Sequence, residues 1–267
     1  CAGWRATIGG MTNASTHPHL TILTGASRGM GLAMALQLLQ AGHVLVAMSR
    51  SHSPALEQAA AQSGATLLQW SVDLAAPQAA AQRLGEWLAG QDAVRYASAT
   101  LINNAGVIPQ IAPLSQLQAA DIAQALRVGL EAPMLLTAAF LAATESWTVP
   151  RKVLNISSGL GRRAIASQAT YCAAKAGMDH FSRSVALDEA LKPHGARICS
   201  LAPGVIDTDM QQQLRSADAT AFPDAGNFVQ LKAGGQLTSP QEAGARVLAW
   251  LNRADFGEQA VADVRQP

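Results

Sequence analysis

Short apolar runs alternate with helical patterns along almost the whole chain, and this rhythm constrains the fold more than any other feature. Residues 20–24, 43–48, 65–70, 99–103, 152–157 and 197–201 have the length and apolar character of strands. A seventh short strand is expected near residues 259–263. Between them lie helical patterns at 29–40, 55–62, 77–89, 121–143, 170–191 and 240–251. The first carries Leu32, Leu36 and Leu39 on one face, and Pro77 opens the third. A cap is expected near Ala120 and Asp121, and another at Ser239, while Pro193 and Gly195 close the helix that starts at 170. Strands alternating with helices of this length form βαβ units with parallel strands. Right-handed crossovers then give a doubly wound α/β fold, a three-layer sandwich around a mostly parallel seven-stranded sheet.

The 267 residues suit one such domain. Apolar residues make up 49% and charged residues 14%, which supplies a core and excludes a disordered chain. Lys and Arg number 19 against 18 Asp and Glu, so no concentrated basic face for nucleic acid is expected. No apolar run approaches the roughly 18 residues of a membrane span, and no membrane partner is expected. Cys1, Cys172 and Cys199 cannot build a disulfide framework, and no Cys/His cluster suggests a metal. They read as reduced thiols of a cytoplasmic protein. Residues 1–10 lack the charged-then-apolar order of a secretory signal. Met11, followed by Thr12, Asn13, Ala14 and Ser15, reads as a natural start. Residues 1–10 are therefore expected to be a non-native or disordered extension, with the domain at 11–267. Residues 211–237 contain Pro223, Gly226, Gly234 and Gly235 and are expected to form an irregular lid.

The first strand runs directly into Thr24-Gly25-Ala26-Ser27-Arg28-Gly29-Met30-Gly31. Glycines let a backbone turn tightly and approach a pyrophosphate, and the helix that follows aims free N–H groups at the anion. The position after a first strand and at a helix start points to a dinucleotide. The second strand ends Ala47-Met48-Ser49-Arg50, with no acid to hold a ribose 2′-hydroxyl. Arg50 and Arg28 would instead pair with a 2′-phosphate, so NADP(H) is expected over NAD(H).

Tyr171 and Lys175 stand four apart on an expected helix and share a face. An ammonium near a phenol favours the tyrosinate, which suits a general acid or base for a carbonyl or alcohol. Ser158, in Asn155-Ile156-Ser157-Ser158-Gly159 at the end of the fifth strand, lies 13 residues before Tyr171. Strand C-termini are where open α/β sheets bind ligands.

With these motifs in this order, the chain resembles the single-domain short-chain dehydrogenases/reductases from about Leu20 to Asp263. The resemblance takes in the glycine turn, Asp73, Asn103-Asn104-Ala105-Gly106, Ser158, Tyr171, Lys175, Pro203-Gly204 and Thr208. It implies a Rossmann-type fold. It implies that Gly25, Ser27, Arg28, Gly29, Met30 and Gly31 hold the cofactor phosphates. Val72, Asp73 and Leu74 would lie by the adenine, and Asn104, Ala105 and Gly106 along the cofactor. Pro203, Gly204, Val205, Ile206 and Thr208 would hold the nicotinamide end. Tyr171 is then the proton donor and Ser158 the hydrogen-bond donor to a carbonyl oxygen. Lys175 binds the nicotinamide ribose and depresses the Tyr171 pKa. The family's usual Asn in the long fourth helix is replaced by Gly129, where a water is expected to fill the space. The family also implies a homodimer or homotetramer through helices 121–143 and 170–191, whose Ala138, Ala139, Ala142, Ala143, Ala173, Ala174 and Gly177 permit close packing.

Within the family, residues 202–212, 231–237 and 256–263 are similar to sepiapterin reductase and related bacterial benzil reductases. That subgroup implies an NADPH-dependent carbonyl reductase for vicinal dicarbonyls or a pterin side-chain ketone. Ser158, Leu160, Tyr171, Met210 and Asp263 would contact substrate, with Cys172, Met178 and the 211–237 lid shaping the pocket. The alternatives are a 3-oxoacyl-thioester reductase, a general alcohol dehydrogenase, or a catalytically silent dinucleotide sensor. Cys172 reads as a packing or wall thiol. His17, His19, His43, His52, His180 and His194 read as surface or loop residues.

Overall fold

Seven strands form one sheet: β1 (His19–Thr24), β2 (His43–Ser49), β3 (Thr66–Ser71), β4 (Ser98–Asn103), β5 (Arg151–Ile156), β6 (Arg197–Ala202) and β7 (Val261–Asp263). The computed structural model describes residues 17–266, so the extension expected at 1–10 lies outside the described residues. The strand order is β3-β2-β1-β4-β5-β6-β7, and every neighbouring pair is parallel. A parallel sheet is covered on both faces, which is why its inner strands read as continuous apolar runs. Side-chain alternation splits each strand between two cores. Leu20 and Ile22 of β1, Val46 and Met48 of β2, and Leu101 of β4 face one layer. Leu23, Leu45 and Ile102 face the other.

The helices are α1 (Gly29–Leu38), α2 (Pro54–Ser63), α3 (Pro77–Ala89), α4 (Ala119–Leu126), α5 (Ala132–Ala143), α6 (Ala169–Ala190), α7 (Asp209–Arg215), α8 (Ala225–Ala233) and α9 (Pro240–Leu251). Leu84 and Leu88 of α3 join Leu136 and Phe140 of α5 in the first core. Met34 of α1 and Val247 of α9 lie in the second. Ser239 caps α9, its Oγ accepting from the Glu242 N–H at 3.2 Å. The cap expected at Ala120 or Asp121 is not formed: α4 begins after Gln118, and Asp121 lies in its first turn.

The single helix expected over 121–143 is interrupted by a π-helical turn at Arg127–Glu131. Pro133 explains it, because proline has no N–H for the Gly129 carbonyl and its ring clashes there. The turn presses on α6. A Cβ on Gly129 would lie 3.1 Å from the Ala174 Cβ, and one on Gly177 would lie 2.9 Å from the Leu130 side chain. Ala174 and Gly177 thus pack within the chain against this turn.

The helical stretch Ala119–Ala143 contains an 18-residue window with a mean hydropathy of 1.5 and has the length to cross a membrane, contrary to the expectation of no such run. Here Val128, Ala132, Leu136 and Phe140 pack it into the domain. Residues 211–237 are also not irregular, since they contain most of α7 and all of α8. Leu214, Phe222, Ala225 and Phe228 give this segment a small core of its own, with Phe222 stacked on Phe228 at 5.6 Å.

Candidate active site

A cavity of about 1190 Å³ runs along the C-terminal ends of the strands. It spans the point between β1 and β4 where the strand order reverses, the usual binding crevice of such sheets. At one end lies the glycine turn between β1 and α1. Gly25 has φ +72, and a Cβ there would lie 2.9 Å from the Ala105 Cα; a Cβ on Gly31 would lie 2.0 Å from the Gly25 carbonyl oxygen. The turn therefore has no room for side chains at either position. Thr24 braces it, its Oγ1 accepting from the backbone N–H groups of Asn104 at 2.9 Å and Ala105 at 3.0 Å. No side chain caps α1, and its first turn holds no acid. Its free N–H groups and positive dipole end face the cavity, an anion cradle that fits a dinucleotide pyrophosphate.

Ser27, Arg28, Met30, Arg50, Asp73, Leu74, Asn104, Ala105 and Gly106 also line the cavity, as do Pro203, Gly204, Val205, Ile206 and Thr208. The end of β2 carries no carboxylate. Arg50 is exposed there, while Arg28 forms an exposed ion pair with Asp209 at 3.3 Å.

At the far end stand Ser158, Tyr171 and Lys175. Ser158 begins a 3-10 turn at Gly159–Gly161, and its Oγ accepts from the Leu160 N–H at 3.2 Å. Tyr171 and Lys175 lie on the buried face of α6. Burial pushes the Tyr171 phenol above its usual range, and its hydrogen bond with Ser158 partly offsets this. Burial also lowers Lys175 to about 8, opposed by the charge of Asp179. Lys175 Nζ donates to the Ile156 carbonyl at 2.7 Å and lies 5.8 Å from the Tyr171 ring centre. Leu160, Met210, Asp263 and Arg265 complete this end. The arrangement suits proton exchange with an oxygen at a carbon that gains or loses hydride.

The sequence profile of the short chain dehydrogenase family matches residues 19–219. This chain belongs to that family. The chain is 32% identical over 240 residues to a Bacillus cereus protein named benzil reductase ((S)-benzoin forming), covering 90% of this chain and 96% of that one. It is 30% identical over 253 residues to sepiapterin reductase of Meriones unguiculatus, covering 91% and 94%. Among solved structures, KRED1-Pglu superposes with a TM-score of 0.75 at 28% identity, covering 90% of this chain and 99% of that one. As a short-chain dehydrogenase, the protein is an oxidoreductase acting on CH–OH or C=O groups, and the family uses a nicotinamide dinucleotide.

Several expectations for this dehydrogenase change in the structure. The Lys175 ammonium donates to the Ile156 carbonyl, and burial is the largest influence on the Tyr171 phenol, which it raises. Cys172 and Met178 do not line the cavity; Met178 is fully buried. Cys199 is also buried, which pushes its thiol up to about 12. Asp263 is no free carboxylate at the chain's end. It is 5% exposed and forked by Arg265, whose Nε donates to Oδ1 at 2.8 Å and Nη2 to Oδ2 at 2.6 Å. His19 and His43 are the first residues of β1 and β2, their rings 5.4 Å apart; His19 is exposed, as expected, while His43 is half-buried. Sequence reasoning missed Arg162, Arg163, Gln211 and Arg265, which all line the cavity. Only their placement after β5, on α7 and after β7 reveals them. It also missed Asp179, although its spacing of four from Lys175 places both on one helix face.

Proposed function

We propose that this enzyme is an NADPH-dependent carbonyl reductase of the cytoplasm that reduces small, uncharged vicinal dicarbonyls. The observation that carries the substrate reading is the Asp263–Arg265 fork. Both carboxylate oxygens accept from Arg265, so the 2-amino and ring N–H donors of a neutral pterin would have to compete with that guanidinium for Asp263. The neighbouring wall offers apolar surface at Leu160, Met210, Leu214, Phe228 and Leu231, beside polar groups at Gln211 and Asn227. The similarity to benzil reductase agrees with this reading.

NADPH, when bound, supplies a hydride to the carbonyl carbon. The cradle at Gly25–Gly31 would hold its pyrophosphate, and Arg50 and Arg28 its 2′-phosphate. Drawing Arg28 from Asp209 costs little, since exposed pairs contribute about 0–1 kcal/mol. Val72, Asp73 and Leu74 would lie by the adenine, Asn104, Ala105 and Gly106 along the dinucleotide, and residues 203–208 at the nicotinamide. Tyr171 gives its proton to the carbonyl oxygen as negative charge develops there. Ser158 donates a second hydrogen bond to that oxygen. Lys175 keeps donors free beyond the one given to Ile156, and these would hold the nicotinamide ribose. Residues 211–237 cover the substrate end as a lid. The exposed Ala138, Ala142, Ala173 and Leu187 on the outer faces of α5 and α6 support a homodimer or homotetramer. Sedimentation velocity is expected to give a species of two or four chains; a monomer at micromolar concentration contradicts this.

The test is NADPH oxidation against an aryl 1,2-diketone, sepiapterin, a 3-oxoacyl thioester and a simple ketone. The diketone is expected to turn over fastest. Tyr171→Phe should lower its kcat by roughly 10²–10⁴-fold. Preference for the thioester or sepiapterin overturns the substrate reading. Tight NADPH binding with no turnover of any carbonyl favours the silent sensor.

A further inference from the structure

Asp179 touches none of the reacting atoms, yet four elements meet on it. It lies on α6 one turn beyond Lys175 and two turns beyond Tyr171, and it is 2% exposed. Its Oδ1 accepts from Ser157 Oγ at 2.6 Å and from Ser200 Oγ at 2.7 Å. Its Oδ2 accepts from Arg162 Nε at 3.2 Å. Arg162 Nη2 then donates to the Ala262 carbonyl of β7 at 2.8 Å. Ser157 is the residue before Ser158, and Ser200 lies in β6. Gly161 closes the same loop onto α6: a Cβ there would lie 2.9 Å from the Lys175 carbonyl oxygen and 3.1 Å from Asp179 Oδ2.

A buried carboxylate is costly unless donors satisfy it. A neutral amide could accept from both serines with its oxygen but would set its NH2 donor against the Arg162 N–H, so the charge is what ties Arg162 into this network. We propose that Asp179 is a positioning residue of the active site. Through Ser157 and Arg162 it fixes the loop that carries Ser158 against α6, one helical turn from Lys175.

The charged and titratable groups on the elements around Lys175 at this end of the cavity are few. On α6 they are Tyr171 and Asp179. On the loop after β5 they are Arg162 and Arg163, and at β7 they are Asp263 and Arg265, paired with each other. Burial drives Lys175 toward its neutral form, and Asp179 is the charge that opposes it. Arg162 shares that charge from the other side.

The test rests on the diketone reading above for its substrate. It compares pH profiles of kcat in the parent, Asp179→Asn, Ser157→Ala and Arg162→Gln, with Tm and NADPH Kd measured for each. In Asp179→Asn the alkaline limb is expected to move down by about one pH unit, as loss of a close opposite charge requires. In Ser157→Ala, kcat is expected to fall several-fold with the limb unmoved, because the carboxylate stays. In Arg162→Gln the limb is expected to move up, since the Asp179 charge is no longer shared. An alkaline limb unmoved in both Asp179→Asn and Arg162→Gln overturns the proposal. So does a Ser157→Ala enzyme with unchanged kcat. If Asp179→Asn does not fold, Arg162→Gln decides alone, and an unmoved or lowered limb overturns the proposal. If the parent reduces no diketone, the substrate reading fails instead. The same shifts are then read from the pH dependence of NADPH affinity, which falls as Lys175 loses its proton.

Discussion

Tyr171 and Lys175 stand close together on one face of α6, and burial moves their pKa values in opposite directions. The phenol is raised and the ammonium lowered to about 8. Between about pH 8 and 10.5 the folded chain carries less of the Lys175 proton than the unfolded chain does. Stability rises with pH wherever the unfolded state binds more protons. The burden of the buried ammonium is therefore full below pH 8 and is relieved as pH climbs through that window. Lys175→Met removes the titrating group. Its stability relative to the parent is expected to be highest near pH 7 and to decline toward pH 10, as its turnover collapses. Urea unfolding of both proteins at the two pH values measures this. A difference that does not change with pH contradicts the burial of a charged Lys175.

Elements were legible in the sequence to the extent that one local rule governed them. Burial on both faces made β1, β2, β4, β5 and β6 continuous apolar runs, and their bounds shift by only a residue or two in the structure. The π turn was not legible, because the apolar spacing of a helix hardly registers one extra residue in a turn. Its cause, Pro133, was in plain sight but acts through a carbonyl four residues back. The short α7 and α8 escaped because Phe222 and Phe228 hold them by tertiary packing rather than by their own periodicity. The π turn carries a prediction of its own. In Gly129→Asn the new Cβ would meet Ala174 at 3.1 Å, so α4 and α5 must move from α6. Overpacking of this kind costs about 1–3 kcal/mol, which is a fall of roughly 2–12 °C in Tm for a chain this long. Ala174→Gly in the same protein is expected to restore part of the loss by removing the colliding methyl. Two penalties that simply add would show that the contact is not the cause.

Over the whole molecule, parallel topology gathers distant motifs on one edge of the sheet. Gly25, Arg50, Asp73, Asn104, Ser158 and Pro203 follow six successive strands, so all line one cavity. That half of the candidate site was legible because each motif sits at a strand end and the order of strands does the rest. The other half was not. Asp263 meets Arg265, and Arg162 meets Asp179, through side-chain geometry that no spacing rule specifies. A ligand spanning all those strand ends ties the sheet together, and binding to the folded state alone stabilises it by mass action. At a hundred times its Kd, NADPH should add about 2.7 kcal/mol, or roughly 5–11 °C in Tm for a domain of this size. NADH at the same concentration is expected to shift Tm much less, since Arg50 and Arg28 would have no 2′-phosphate to pair with. Arg50→Asp should then narrow or reverse the difference, because a carboxylate at the end of β2 repels that phosphate and accepts from a ribose hydroxyl. Equal shifts from the two cofactors, unchanged by Arg50→Asp, would remove the arginines from cofactor selection and leave the glycine cradle as the sole phosphate site.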